Sequence, residues 1–433
     1  MTGNPSSGIR WIVGFVRVRS APVMKSKVLQ TFAVSALCAR VVCAEPDPWR
    51  WQGEWQPTGL LGCYHSYVAM SDGRLACFQN MGVTTAGESA TATELVVSFT
   101  REPGAFIDWT DPVALLTWDQ IDDLFEERDA KTLAHNRLLT RPAVTRLADG
   151  GYFGIGVVCR GYFPKDGLRW IARFRGSAAS VNAALRQALG GEAGAVERRW
   201  DYLGKCRGPV GDYLEREQQP YALSTDLGPL LYDAGAPAAP DHTRPAANRF
   251  VAFPNHLGAP GGGPSGGRTA LVYSADGEAW HFATEPGGAI RDLTPFHGDA
   301  RRCFPFVIRQ DDANWWMWQS DGWYPQAEGE LPSACRGVYL YHSSDGLAWR
   351  QVRRDVDCRS FRRADGTIPG LKNLSAWYDP STGVLHGFVS VWEENPGRWR
   401  KYHNTSVLDA TRGAGSAPAP RIPSPPPLER RDR

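Results

Sequence analysis

Short apolar runs alternate with turn residues along most of the chain, and one hairpin pattern recurs. In each copy the first strand arm lies eleven residues before the second, at Tyr64 and Leu75, Arg141 and Tyr152, Gln219 and Leu230, Phe304 and Trp315, and Leu374 and Leu385. Alternation of apolar and polar positions between turn signals is typical of half-buried β-strands. The pattern therefore predicts five antiparallel hairpins in this chain of 433 residues.

A third strand that ends in a repeated phrase follows two of the hairpins. Residues 273–280 read YSADGEAW and residues 341–349 read YHSSDGLAW, with Ser, Asp, Gly and Trp at the same spacing. Asp-Gly forms tight turns, Ser and Asp side chains bond nearby backbone amides, and Trp packs between sheets. We interpret the phrase as scaffold and each repeat as a four-stranded antiparallel sheet.

Five such sheets bury their faces against one another when they form a closed radial array. The predicted fold is therefore all-β, a five-bladed β-propeller, with a short helical insertion at residues 177–191 of the second blade. The segment from Trp49 to Trp55 is expected to help close the ring. The predicted blades span residues 62–116, 135–204, 213–290, 300–354 and 370–408 of a domain at residues 45–411.

Both ends of the chain differ from this middle part. The first 44 residues contain six basic residues and no acidic one, and from Met24 they read MKSKVLQTFAVSALCARVVCA. A basic start, an apolar run and small residues at the cleavage positions predict a signal segment at residues 1–44, with Met24 as the true start. The expected location is secreted or periplasmic, and a membrane anchor is the alternative. Residues 412–433 are rich in Pro, Ala and Ser and are predicted to be disordered.

Composition restricts the class of protein further. Hydrophobic residues make up 42% of the chain and 17 residues are Trp, which is ample for a folded core. The whole chain carries +2, but residues 45–411 carry about −7, so nucleic acid is not an expected partner. Seven Cys follow the leader without a CxxC pair, and we expect one or two disulfides and free buried thiols. We predict a monomer without metal, cofactor or membrane span in the mature chain.

Two stretches carry a resemblance to a known group of proteins. FPFVIRQDDANWWMWQSDGW from Phe304 and GVYLYHSSDGLAW from Gly337 resemble a blade of the five-bladed propeller glycoside hydrolases, which include arabinanases, β-xylosidases, invertases and mannoside phosphorylases. The likeness is architectural and covers the whole folded region. It implies an oligo- or polysaccharide substrate. Sialidase-like propellers are the neighbouring group, but their repeated box usually has a residue between Asp and Gly.

Topology indicates where a site would lie. In a propeller the starts of the inner strands open on one face, and ligands usually bind there. The aligned hairpins predict that His65, Arg141, Gln219 and Asn373 lie at this mouth of the central channel. Glu217 alternates onto the same side as Gln219, so we expect it at the mouth as well.

The resemblance also implies a set of catalytic roles. In the resembled families an inner-strand Asp before Pro is the base, a second Asp orients or tunes it, and a Glu is the acid. Here Arg, Gln and Phe precede the corresponding prolines, so only a match of Glu217 to the acid is carried over. Inverting hydrolysis needs two carboxyl groups held several ångströms apart. Asp321 and Glu393, on the loops after two second strands, are candidates for the other carboxylate.

Basic, polar and aromatic side chains form the predicted substrate-binding set. Arginine suits bidentate binding of a carboxylate, and aromatic rings offer faces on which sugars stack, so the set favours a uronic or sialic acid. Its members are Arg141, Arg160, Gln219, His256, Arg302, Asn373, Trp323, Trp377 and Trp392.

These residues leave three hypotheses open. The favoured one is an exported glycoside hydrolase that acts on an acidic, uronate-containing glycan. The second is a sialidase-like exo-glycosidase, or a polysaccharide lyase in which His65 is the base and Tyr64 or Tyr162 the acid. The third is a propeller that binds a glycan without turnover, because the Asp-Pro positions of the resembled families are absent.

Overall fold

A computed structural model of the chain describes residues 49–62, 65–84, 91–117, 120–121, 137–160, 169–191, 200–217, 227–254, 269–293, 303–321, 337–393 and 398–407. The predicted signal segment and C-terminal tail lie outside these residues.

The described strands form five sheets of four antiparallel strands, which we number as blades in chain order. Each blade begins with its inner strand and ends with its outer one. Blade 1 contains β2 (His65–Ala69), β3 (Leu75–Thr84), β4 (Thr91–Phe99) and β5 (Val113–Leu116); blade 2 contains β6 (Arg137–Arg146), β7 (Tyr152–Arg160), β8 (Arg169–Gly176) and β9 (Asp201–Lys205); blade 3 contains β10 (Leu230–Tyr232), β11 (Phe250–Ala252), β12 (Val272–Ser274) and β13 (His281–Phe282); blade 4 contains β14 (Cys303–Arg309), β15 (Trp315–Ser320), β16 (Gly337–Ser343) and β17 (Arg350–Asp357); blade 5 contains β18 (Leu371–Asp379), β19 (Val384–Glu393), β20 (Arg398–Val407) and β1 (Trp51–Leu61).

Apolar side chains fill the space between every two neighbouring blades. The buried residues of the described chain fall into five hydrophobic clusters, and each cluster joins one blade to the next. The cluster between blades 5 and 1 contains Leu60, Leu75 and Phe388 and so closes the circle. A sheet can bury both faces only against two neighbours, which is why the alternating strands assemble into a ring. The predicted five-bladed propeller is confirmed.

The ring is closed by the N-terminal strand. β1 pairs antiparallel with β20, with Trp51 opposite Ser406, and forms the outer strand of blade 5. The buried Asp355 carboxylate holds this strand to blade 4, since it accepts hydrogen bonds from Trp51 Nε1 at 3.0 Å and Trp318 Nε1 at 2.7 Å. Arg353 compensates the charge, with Nε 2.9 Å from Asp355 Oδ1. The expectation that Trp49 to Trp55 helps close the ring is therefore confirmed.

The helical insertion in the second blade is also confirmed. Helix α1 (Ala178–Ala188) lies between β8 and β9. Ser177 caps it, because its Oγ accepts a hydrogen bond from the Ser180 amide at 3.0 Å. Val181 and Ala184 on one face of the helix are fully buried in the cluster between blades 1 and 2.

Blade 3 differs from the predicted alignment. The structure has a helix, α2 (Gly208–Glu217), just before the segment predicted to be the inner strand, and the inner strand itself is β10 at Leu230–Tyr232. Leu230, predicted to begin the second strand, pairs with Ala252 across a loop of residues 233–249. The prediction that Glu217 belongs to an inner strand is wrong. The predicted spacing of eleven residues between the first two strands cannot accommodate so long a loop. The helix before the strand is held by Val210 and Tyr213, which pack against the core of blade 3.

The two repeated phrases form equivalent turns. In the first, Asp276 Oδ1 accepts hydrogen bonds from the Glu278 and Ala279 amides at 2.7 and 2.9 Å, and Trp280 Nε1 donates to Gly277 O at 3.0 Å. Asp345 and Trp349 make the same contacts in the second. Both turns join the third and fourth strands of a blade at the end far from the inner-strand starts. The phrase is thus a turn of the scaffold.

Candidate functional site

The inner strands converge on the propeller axis near their starts. One small cavity there is lined by residues from all five blades, namely His65, Arg141, Pro142, Gly228, Pro305, Phe306 and Asn373. Its volume is about 20 Å³, which is room for about one water molecule. We call this end of the ring the axial mouth. The structure thus brings together His65, Arg141 and Asn373, three of the residues that the sequence places at the mouth.

Two residues at the axial mouth adopt unusual backbone conformations. Arg141 has φ of 50° and Phe304 has φ of 57°, and each directly precedes a proline. Left-handed conformations are unfavourable for side chains of this size. In both strands the pairing register shifts at this point, between Thr140 and Ala143 and between Cys303 and Phe306. Such bulges re-aim side chains and occur next to functional sites.

A cluster of two cations and two aromatic rings surrounds these bulges. Arg141 Cζ lies 5.5 Å from the centroid of the Phe304 ring, and Lys372 Nζ lies 5.9 Å from the same centroid. Lys372 Nζ also lies 5.3 Å from the Trp399 ring. Cations within about 6 Å of a ring centroid are attracted by its π face. The side of the mouth formed by blades 2, 4 and 5 therefore contains two cationic side chains.

His65 is held firmly in the wall of the mouth. Its Nε2 lies 3.1 Å from Leu61 O, which can only accept, so Nε2 carries the proton. Its Nδ1, 3.1 Å from the Tyr67 hydroxyl, is then the acceptor. Burial and the nearby Lys401 charge hold the pKa of His65 well below its ordinary value. Because both ring nitrogens are already engaged, the geometry gives no support to His65 as the base of a lyase.

The acidic candidates of the described chain serve other contacts. Asp321, 3% exposed, follows β15, and its Oδ1 accepts a hydrogen bond from the Gly337 amide at 3.2 Å. Glu393 ends β19, where its Oε1 lies 3.0 Å from Arg400 Nε, and it lines a pocket on blade 5. Neither residue is among those that line the axial cavity.

The two described tryptophans of the predicted set lie at opposite ends of blade 5. Trp377 pairs with His386 on the neighbouring strand and packs against Phe106 and the His386 ring. The structure places Trp377 away from the mouth, because four residues of strand carry it about 13 Å down the blade from Asn373. Trp392 lies at the mouth end, with its ring 5.2 Å from that of Trp399.

The rest of the predicted site cannot be placed in full. Gln219, His256, Arg302 and Trp323 lie outside the described residues. For Arg160, the end of β7, and Glu217, the end of α2, the structure describes the backbone only.

Sequence reasoning missed Phe304 and Lys372 as residues of the mouth. A signal was present for the first, because a bulky residue before an inner-strand proline occurs where the resembled families have Asp. Lys372 gave none, since a single Lys beside a strand start is common on surfaces.

The described residues also bear on the requirements of a metal site, a disulfide and a membrane span. Its His, Cys, Asp and Glu side chains form no group of three that could hold a metal ion. Cys77, Cys206 and Cys358 are free thiols. Among the described helices none has the length and apolar character needed to cross a bilayer.

Comparisons with known proteins concern the fold. No family model and no curated protein matches this chain. Similar solved structures include an endo-1,5-α-L-arabinanase from Thermotoga petrophila (12% identity, 83% of this chain and 75% of that one, TM-score 0.44) and a glycosyl hydrolase from Bacteroides ovatus (9%, 87% and 88%, 0.44). Another is an N-acetylgalactosamine deacetylase from F. plautii (11%, 84% and 96%, 0.45). At these values the similarities assign no activity to this chain.

Proposed function

We propose that this protein is an exported carbohydrate-active enzyme, a glycoside hydrolase that binds an acidic glycan at its axial mouth. The observation that carries the proposal is the cluster of Arg141 and Lys372 on the Phe304 ring. Cationic side chains at the mouth suit a uronate, because its carboxylate meets their charges. The architectural resemblance to propeller glycosidases supports the same class.

Hydrolysis requires a pair of carboxyl groups. Glu217 remains our candidate acid, although it ends a helix and not a strand. The segment that follows it, residues 218–226, leads to Gly228 at the axial cavity. We propose that the second carboxylate comes from a part of the chain outside the described residues. Asp321 is a weaker candidate because it is buried against Gly337.

A binding propeller without turnover is the second candidate function. It is favoured by the residues before Pro142 and Pro305, which are Arg141 and Phe304 where the resembled families have a catalytic Asp. A mouth that presents cationic groups to a uronate but lacks a base would bind and release the glycan unchanged. The lyase hypothesis has no such support, because both ring nitrogens of His65 are engaged.

The experiment is a screen of the full chain against uronate polysaccharides and their carboxyl-reduced neutral counterparts. Reducing ends, the absorbance of unsaturated uronate and binding are followed in parallel. Arg141→Gln and Lys372→Gln test the mouth, and Glu217→Gln tests the acid. Arg175→Gln is the matched control, because Arg175 is exposed and pairs with Asp149 at the far end of blade 2.

Each outcome distinguishes the candidates. Reducing ends that disappear in Glu217→Gln, with binding weakened about tenfold in the mouth variants, support the hydrolase. Binding without any product, weakened in the same variants, makes this a glycan-binding propeller. Mouth variants that bind and act like Arg175→Gln would refute an acidic glycan at the mouth.

A further inference from the structure

A second pocket lies on the flank of blade 5, away from the axial cavity. Its volume is about 540 Å³, within the range of small-molecule sites. Its lining includes Trp55, Phe361, Arg362, Arg363, Glu393 and Tyr402. They come from β1, the segment joining blades 4 and 5, β19 and β20, and we call the site the blade-5 pocket.

Aromatic rings form one wall of the blade-5 pocket. The Trp55 and Phe361 ring centroids are 5.9 Å apart, and those of Phe361 and Tyr402 are 5.5 Å apart and nearly perpendicular. Trp51 backs Trp55 at 5.0 Å. Phe361 is buried, whereas Trp55 and Tyr402 are half-buried and present part of their surface to the pocket. A fixed, partly exposed aromatic wall suits the apolar face of a sugar ring.

Charged groups converge opposite these rings. Arg363 Nη2 donates to Trp392 O at 2.9 Å, which orients the guanidinium at the pocket. Arg362 is exposed, and Glu393 is paired with Arg400 at 3.0 Å. The pocket lining thus contains two arginines, Arg362 and Arg363, and one carboxylate, which is paired with Arg400. Burial and the Glu393 charge raise the pKa of Tyr402, whose hydroxyl donates a hydrogen bond to Glu393 Oε1 at 3.4 Å.

A continuous series of contacts links this pocket to the axial mouth. Arg363 contacts Trp392, whose ring lies 5.2 Å from Trp399. The Trp399 ring lies 5.3 Å from Lys372 Nζ, which lies against Phe304 in the mouth. Cationic and aromatic residues of blades 4 and 5 therefore contact one another in series from the axial mouth to the flank of blade 5.

We infer that the blade-5 pocket is a second binding site for an acidic saccharide, in which Arg362 and Arg363 meet a sugar carboxylate and Trp55 and Tyr402 flank the ring. The inference rests on the proposed function for the class of ligand. One glycan that occupies both sites would be held at two points, and its affinity would exceed that of either site alone.

The test measures binding of oligogalacturonides and oligoglucuronides of two to eight sugars by calorimetry, with carboxyl-reduced oligosaccharides for comparison. Arg362→Gln and Tyr402→Phe alter the pocket, and Arg141→Gln alters the mouth. Arg359→Gln is the matched control, since Arg359 is exposed, belongs to the same segment and does not line the pocket. Melting curves establish that the variants are folded.

We expect Arg362→Gln to weaken uronate binding about tenfold, with no effect on reduced ligands and none from Arg359→Gln. For the longer chains, Arg362→Gln and Arg141→Gln together should weaken binding more than either alone. Pocket variants that bind like wild type while Arg141→Gln is impaired would overturn the inference and leave the proposed function intact. Weakened binding in the pocket variants together with wild-type binding in Arg141→Gln would support the blade-5 pocket as a binding site and refute binding at the axial mouth. A wild-type chain that binds none of these uronates would overturn the inference.

Discussion

The two ends of the propeller differ in whether their residues repeat from blade to blade. At the end far from the axial mouth, the same turn is written twice, and each copy satisfies its polar groups within seven residues, as Asp276 and Trp280 show. At the axial mouth the polar side chains of the cavity lining differ from one another: His65, Arg141 and Asn373 come from three different blades. The mouth also contains the left-handed Arg141.

This difference separates stability from function. The repeated residues make their contacts within their own turn, so their role is satisfied locally and is independent of any ligand. Residues that differ from blade to blade, and that hold charge in a strained backbone, offer little to the fold and are better explained by binding. The predictions below test whether stability resides in the turn end and recognition in the mouth.

The largest effect is expected from Trp280→Ala. Trp280 is 1% exposed and packs between blades 2 and 3, so its removal leaves a cavity and should lower the free energy of unfolding by about 4 kcal/mol. Trp349, in the same position of the second phrase, is only half-buried, and Trp349→Ala should cost less than half as much. Chemical denaturation of both variants measures this. Equal losses would contradict the packing argument.

A second effect comes from a buried histidine pair at the turn end of blade 5. His386 Nδ1 lies 3.2 Å from His403 Nε2, and Phe106 covers the rings. Burial lowers the pKa of His386 to about 4 and that of His403 to about 3, the latter helped by His386. As the pH falls, the two histidines take up protons at a lower pH in the folded state than in the unfolded chain. Their contribution to the free energy of unfolding is therefore fully present above about pH 6.5 and is lost as the pH falls.

Between pH 7 and pH 5 the pair should therefore reduce the free energy of unfolding by about 3 kcal/mol. Urea denaturation at each pH measures the slope. The double variant His386→Gln/His403→Gln should lose most of it, whatever its stability at neutral pH. An unchanged slope would show that the pair does not titrate as its burial implies.

Much of the fold was accessible from the sequence, for a local reason. Hairpins with short turns keep a fixed step, so the strand starts near His65, Arg141, Phe304 and Leu374 could be aligned by pattern alone. The alignment of blade 3 was wrong because the loop of residues 233–249 interrupts the eleven-residue spacing of its first two strands.

The site was accessible only in part. A strand start can be placed near the axis from its register, which is how His65 and Asn373 were found. The role of a side chain depends on contacts from distant blades. Trp377 packs against Phe106, and His65 is fixed by Leu61 and Tyr67, none of which the pattern of strands reveals.

A smaller effect is expected from Asp276→Asn. Burial raises the pKa of Asp276, but the hydrogen bonds from the Glu278 and Ala279 amides outweigh it, and the pKa lies below its ordinary value. The carboxylate therefore stabilises the fold above about pH 4, and this contribution is lost as the pH falls through the folded-state pKa. The variant should lose about 1 kcal/mol at pH 7. That difference should vanish in acid, and Asp345→Asn should behave alike; a difference independent of pH would refute the role of the charge.

The smallest effect on stability, and the one of opposite sign, is expected at the mouth. Arg141 has φ of 50°, which glycine adopts without a steric penalty. Relief of that penalty, offset by the greater entropy of glycine when unfolded, should leave Arg141→Gly as stable as wild type or up to about 1 kcal/mol more stable.

The same variant should lose about tenfold in affinity for a uronate glycan. Arg141→Gln, which keeps the backbone strain, separates the two effects, because it should lose affinity without gaining stability. A loss of several kcal/mol in Arg141→Gly would show that this side chain belongs to the scaffold, and the distinction between the two ends of the ring would fail.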